Sequence, residues 1–271
     1  MAVITRFDSP ELWMKPALER EAKSRKVNGL KPEDGRAHMY ASQIRQGDPS
    51  IVPMVNDALS RITQGLNLEP VLRYLPSVAG SRVSVPTYLA GNPQCMRRRQ
   101  TTEFTTRHVC IYIEACVMGD IGREDIRARN TAIIGLIEAL RMQRIAADIF
   151  ASWDWGTWAD SDGDHWQVVK LETRPLDLPN IAACLSEAAF SMSYVMGGVI
   201  DSDRTGGVSR SFKSCECGRT AEGKKRFEAI YREKVGLNPT DVYIPEIRPT
   251  DQVVTDPIGW IERQISQLQA H

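Results

Sequence analysis

Apolar positions along this chain follow two different periods, and the segment from Arg107 to Phe150 contains both. Val109, Cys110, Ile111, Tyr112 and Ile113 form an unbroken apolar run, as expected of a strand covered on both faces. A polar turn at Gly119, Asp120 and Gly122 follows. The next stretch opens on Glu124 and Asp125. It then carries Ile133, Leu136, Ile137 and Leu140 at the i, i+3, i+4, i+7 spacing of an amphipathic helix. A second strand is expected from Ile145 to Phe150. Strand, helix and strand in so short a space make a βαβ unit, which predicts an α/β protein with a mostly parallel sheet flanked by helices. In open sheets of this kind ligands bind beyond the carboxyl ends of the strands. That place holds Glu114-Ala-Cys116-Val-Met118, with no glycine-rich phosphate cradle and no Lys-Ser/Thr pair.

The rest of the chain divides by character. Residues 1–70 are polar and helical in pattern, an expected N-terminal extension. Ser9-Pro10-Glu11 is a helix start, and a second helix is expected from Ser50 to Gln64 with Gly65 ending it. Residues 71–106 are broken by proline and glycine into short extended pieces. Arg82-Val-Ser-Val85 alternates as a strand does, and the segment ends in the basic run Arg97-Arg98-Arg99. Residues 107–271 form the expected α/β domain. Within it, Gln167 to Leu171 follows Phe150 with no intervening helix, so the two strands are expected to pair as an antiparallel hairpin. A helix launched by Leu176-Asp177-Leu178-Pro179 is expected through Leu185, a Gly/Ser/Arg-rich loop from Asp201 to Arg219, further helices at Glu222–Val235 and after Asp256-Pro257, and a strand at Val242–Ile244.

Charge narrows the choice of partner. The 34 basic and 34 acidic side chains cancel, so attraction of nucleic acid by the whole molecule is excluded and any such contact must be local. No apolar run approaches the roughly 20 residues of a membrane helix, and the N-terminus lacks the pattern of a signal peptide. An intracellular, cytoplasmic protein is expected. Six cysteines are present, and only Cys215 and Cys217 cluster. A zinc site there would need a second pair at suitable spacing, and none follows, so reduced thiols in a polar loop are expected.

The order strand, helix, strand, antiparallel strand, helix, then a later strand and helix is similar to the von Willebrand factor A-type fold, itself of Rossmann-like order. The similarity covers roughly residues 107–271. Three phrases, Val85 to Arg99, Arg129 to Leu140 and Val169 to Leu178, also resemble an uncharacterised phage-borne family with a degenerate domain of that type. Metal-binding members of the fold place Asp-x-Ser-x-Ser after the first strand, where hard oxygen ligands suit magnesium. Here Glu114, Cys116 and Met118 occupy those places, and a thiol and a thioether are soft ligands. The resemblance therefore implies a degenerate site with no magnesium and no cofactor.

Other candidate chemistry is scattered. Asp160-x-Asp162-x-Asp164 lacks the glycine and glutamate of a calcium loop and reads as an acidic hairpin tip. Trp155 and Trp158 stand at its edge, where aromatic side chains anchor protein interfaces. The four histidines belong to no nucleophile–base signature. Arg97, Arg98, Arg99 and Arg107 with Phe104 are the best nucleic-acid candidate, joined by Arg210 and Lys213. Guanidinium groups bind phosphate in paired hydrogen bonds, and an aromatic ring stacks an unpaired base. The expected function is that of a non-enzymatic phage accessory protein. It docks to a protein partner through the hairpin and the N-terminal arm and holds single-stranded nucleic acid on its arginines. A hydrolase or nuclease with acids assembled from separate loops is the alternative, and a structural homo-oligomer subunit the third reading.

Overall fold

The computed structural model describes residues 3–65, 74–79, 82–99, 108–117, 121–143, 145–157, 160–171, 177–202 and 221–269. Its strands are β1 (Val3–Phe7), β2 (Tyr74–Ser77), β3 (Arg82–Val83), β4 (Met96–Arg99), β5 (His108–Glu114), β6 (Ala146–Thr157), β7 (Asp160–Leu171) and β8 (Val242–Ile244). Five of them form a sheet in the order β1-β7-β6-β5-β8. β5 runs parallel to β6 and to β8, β7 turns back antiparallel on β6, and β1 lies parallel to β7. The sheet is thus mostly parallel, as the βαβ pattern predicts. A separate antiparallel sheet has the order β2-β4-β3.

The helices are α1 (Pro10–Val27), α2 (Arg36–Gln46), α3 (Ile51–Gly65), α4 (Val85–Leu89), α5 (Arg123–Met142), α6 (Leu178–Cys184), α7 (Glu187–Ser202), α8 (Ala221–Val235), α9 (Gln252–Thr255) and α10 (Pro257–Gln269). α5 connects β5 to β6 and is buried over most of its surface: Ile126, Ile133, Ile134, Leu136, Ile137 and Leu140 are all withdrawn from solvent. A helix of that kind belongs inside a protein rather than on its flank. It starts where the Asp125 carboxylate accepts the Gly122 backbone N–H at 3.0 Å. Gly135 lets α10 come close, since a Cβ there would stand 3.0 Å from Ile261 Cδ1.

Period-two alternation along the strands sorts side chains into two cores. Val109, Ile111, Ile113, Ile149, Ala151 and Trp153 join the larger one, with α5, α10 and the N-terminal helices. Tyr112, Trp166, Val168 and Tyr243 join an aromatic core under α8. There Tyr231 meets Tyr112 and Trp166 edge-on and lies tilted 4.8 Å from Tyr243, while Tyr112 stacks on Phe150 at 4.7 Å.

The expected N-terminal extension is instead part of the domain. β1 completes the sheet, and α1 buries Trp13, Met14 and Ala17 in the main core. Trp13 stacks on Trp153 with ring centroids 4.6 Å apart and planes 3° from parallel. Its Nε1 donates to Gln167 Oε1 at 2.8 Å, and Gln167 Nε2 donates to Ser193 O at 3.2 Å. One face of α1 is thus packed into the domain. Three further expectations change. Arg82–Val85 is a two-residue strand followed by α4, and β6 and β7 extend through the expected acidic tip, so Asp160, Asp162 and Asp164 lie on a strand. α7 runs on to Ser202 where a loop was expected from Asp201.

Truncating Trp13 removes a buried ring and leaves the Gln167 amide short of a donor. Trp13→Ala is expected to cost about 3–5 kcal/mol of folding stability, read from the denaturant midpoint. A loss below about 1 kcal/mol, the ordinary range of a surface change, would contradict its place in the core.

Candidate functional site

The carboxyl ends of β5, β6 and β8 converge on a buried polar cluster. Glu114 is the last residue of β5 and pairs in register with Ser152 on β6. Asp154, two residues further along β6, lies on the same side of the sheet by strand alternation. Cys116 follows β5 by two residues, and Glu246 follows β8 by two. All are withdrawn from solvent: Glu114 and Cys116 are 0% exposed, Glu246 2% and Asp154 3%. The Cys116 thiol donates to Asp154 Oδ1 at 3.3 Å, and Ser152 Oγ donates to Glu114 Oε2 at 3.2 Å. One ligand atom each from Glu114, Cys116 and Asp154 lie within 4.8 Å of one another.

Arg129, from the second turn of α5, supplies the buried positive charge. Its Nη2 donates to Leu185 O at 2.8 Å and its Nε to Asn130 Oδ1 at 3.3 Å. Burial lowers its pKa to about 10, against the opposing pull of Cys116, Glu114 and Glu246, so it stays protonated at neutral pH. Glu246 is pushed up to about 8, first by burial and further by Asp154, although Arg248 pulls the other way. Arg248 Nη2 stands 3.4 Å from Glu246 Oε1 but without hydrogen-bond geometry. Burial, then the field of Glu114, raises the Tyr231 and Tyr243 hydroxyls well above their ordinary value.

The expected site residues fare unequally. Glu114 and Cys116 stand together at the strand end as the spacing implied, while Met118 lies outside the described residues. Asp154, Glu246 and Arg129 join them, and sequence reasoning missed all three. Arg97, Arg98 and Arg99 follow one another on β4, where Arg97 pairs with Pro76 on β2 and with Arg82 on β3. Phe104, Arg107, Arg210 and Lys213 lie outside the described residues, as do Trp158 and the pair Cys215 and Cys217. Trp155 lies on β6 opposite His165, next to a register shift between Trp155 and Thr157. Among the described residues no helix is long and apolar enough to cross a membrane.

Comparison with known proteins gives one match: the family model described as a domain of unknown function (DUF7192) covers residues 38–269. No curated protein and no solved structure matches the chain.

The raised pKa of Glu246 has a signed consequence. An acid that keeps its proton to about pH 8 when folded, against an ordinary value of 4.5, costs stability progressively as pH rises between those values. In chelator-containing buffer, Glu246→Gln should remove a decline of up to about 1.4 kcal/mol per pH unit across that window. Denaturant unfolding at pH 5.5 and pH 8 measures it, and equal pH dependence in both proteins would contradict the assignment.

Proposed function

We propose that this chain, which belongs to the DUF7192 family, is a non-enzymatic accessory protein that binds single-stranded nucleic acid on its small sheet. One observation carries the reading. The described part of residues 74–99 holds Arg82, Arg97, Arg98 and Arg99 and not one of the 34 acidic side chains. A neutral molecule thus concentrates positive charge in one unit. The register sets Arg82 opposite Arg97. In the same segment Tyr88 is 63% exposed and Leu89 78%, with Val78, Val83 and Val85 also open to solvent. Arginines that take phosphates, next to an exposed ring that stacks a base, are the parts of a single-strand platform.

Two further considerations support the class. The order β7-β6-β5-β8, with β7 antiparallel, supports reading the larger sheet as a degenerate von Willebrand factor A-like domain. The acids at its strand ends are buried, which speaks against the hydrolase alternative, because a substrate bond must reach its catalytic groups. The exposed apolar residues of the small sheet favour a protein partner as the second reading. The two differ in their response to salt.

Arginine–phosphate contacts release counterions, so binding of a labelled single strand should weaken steeply with salt. Replacing Arg97, Arg98 and Arg99 together by Gln should reduce the slope of log affinity against log salt by roughly two to three contacts' worth. Tyr88→Ala should weaken single strands more than duplex. Fluorescence anisotropy reads both effects. Absence of saturable binding at low salt, or a slope unchanged in the triple variant, would leave protein docking as the function of this surface.

A further inference from the structure

The cluster at the strand ends has the composition of a metal site, though not of the site its position suggests. A magnesium site of the von Willebrand factor A type does not fit here. The thiol of Cys116 is a soft ligand where a hard oxygen is needed, and no hydroxyl-bearing residue follows it at the described positions. We propose instead that Glu114, Cys116 and Asp154, with Glu246 as the fourth ligand, bind a zinc-class divalent ion in a closed structural site.

Geometry supports this first. Zinc holds thiolate sulfur at about 2.3 Å and carboxylate oxygen at about 2.0–2.2 Å, so ligand atoms on one tetrahedral ion lie roughly 3.3–3.6 Å apart. The atoms of Glu114, Cys116 and Asp154 already lie within 4.8 Å of one another, and the Cys116–Asp154 pair is at 3.3 Å. Contraction of well under 2 Å per pair therefore closes them on an ion.

Glu246 is the independent observation. It is 98% withdrawn from solvent, and both of its carboxylate oxygens lack a hydrogen-bond partner. The parallel register of Ile113 with Ile244, carried on by two residues, sets Glu246 level with Ala115, between Glu114 and Cys116. A buried acceptor without a hydrogen bond costs on the order of 1–3 kcal/mol, and the Arg248 guanidinium at 3.4 Å from Oε1 lacks the geometry of one. A cation shared by Glu246 and the Glu114, Cys116 and Asp154 group gives those unbonded oxygens a partner.

Charge balance points the same way. Fully ionised, Glu114, Asp154, Glu246 and Cys116 carry four negative charges against the guanidinium groups of Arg129 and Arg248, and one divalent cation closes the difference. Full burial and four protein ligands, with no open position, make the site structural rather than catalytic. It would clamp the ends of β5, β6 and β8 to one another.

Cobalt(II) titration of the metal-free full chain tests the proposal, because a thiolate ligand gives a sulfur-to-cobalt charge-transfer band and a tetrahedral field gives intense visible bands. One equivalent should saturate both, and zinc should displace it. Cys116→Ser should abolish the charge-transfer band, and Glu246→Gln should weaken zinc at least tenfold. The double variant Cys215→Ser/Cys217→Ser should keep the band. Zinc should raise the melting temperature of the wild type and not of Glu114→Gln, and magnesium should raise neither. No band in the wild type, or a band that survives Cys116→Ser or vanishes in the Cys215/Cys217 variant, overturns the site. If Cys116→Ser does not fold, an equal zinc-dependent rise in melting temperature in wild type and Glu114→Gln overturns it.

Discussion

A guanidinium shut away from water must be solvated by the protein, and Arg129 sets that requirement for the centre of this molecule. Removing a charge from solvent costs several kcal/mol unless hydrogen bonds and opposite charges replace the water. The replacements come from distant places. Leu185 supplies a backbone carbonyl from the α6–α7 turn, and Asn130 reaches the same turn through Ala182 O. Glu114, Cys116 and Glu246 supply the opposing field from the ends of β5 and β8. One side chain of α5 thereby fixes where the α6–α7 turn sits relative to the sheet. It also explains why acids accumulate at the strand ends with no opening to solvent.

The two cores divide the remaining work. The larger one is aliphatic and receives helices from both ends of the sequence, while the one under α8 is built of rings in edge and stacked contact. Aromatic pairs in these arrangements add about 0.5–1.5 kcal/mol beyond the area they bury. They also bring hydroxyls with them. Tyr231 and Tyr243 carry their phenol groups inside, toward the field of Glu114, so the polar cluster and the aromatic core share a boundary.

Much of the larger sheet was legible because its strands and α5 are extreme in pattern. The run Val109–Ile113 and the spacing Ile133, Leu136, Ile137, Leu140 leave little choice of period, and the close succession of Phe150 and Gln167 implied the hairpin that forms. The N-terminal segment misled because α1 buries only Trp13, Met14 and Ala17 among many charged residues, a stripe too thin to outweigh its composition. Val3–Phe7 is short and carries Thr and Arg, so nothing local marked it as a strand. Of the polar cluster, Glu114 and Cys116 were visible from their place after a strand. Asp154, Arg129 and Glu246 were not, because their meeting depends on parallel pairing and on helix placement, which are tertiary facts. Arg129 in particular reads as a surface residue of a charged helix start until the α6–α7 turn is laid over it.

The family match begins at residue 38, yet β1 lies before it and pairs from Val3 against His165 to Phe7 against Val169. β1 pairs with five residues of β7, His165–Val169, which would otherwise end the sheet with backbone amides and carbonyls facing outward. An uncapped border of that length is a template on which a strand from a second molecule can add. Phe7 packs against the main core and Thr5 Oγ1 meets His165 Nε2 at 2.8 Å, so the guard strand is held by side chains as well as by its ladder. Residues 3–7 thereby cover residues 165–169 of β7, and a fragment cut to the family boundary would uncover that stretch while keeping every residue of the polar cluster.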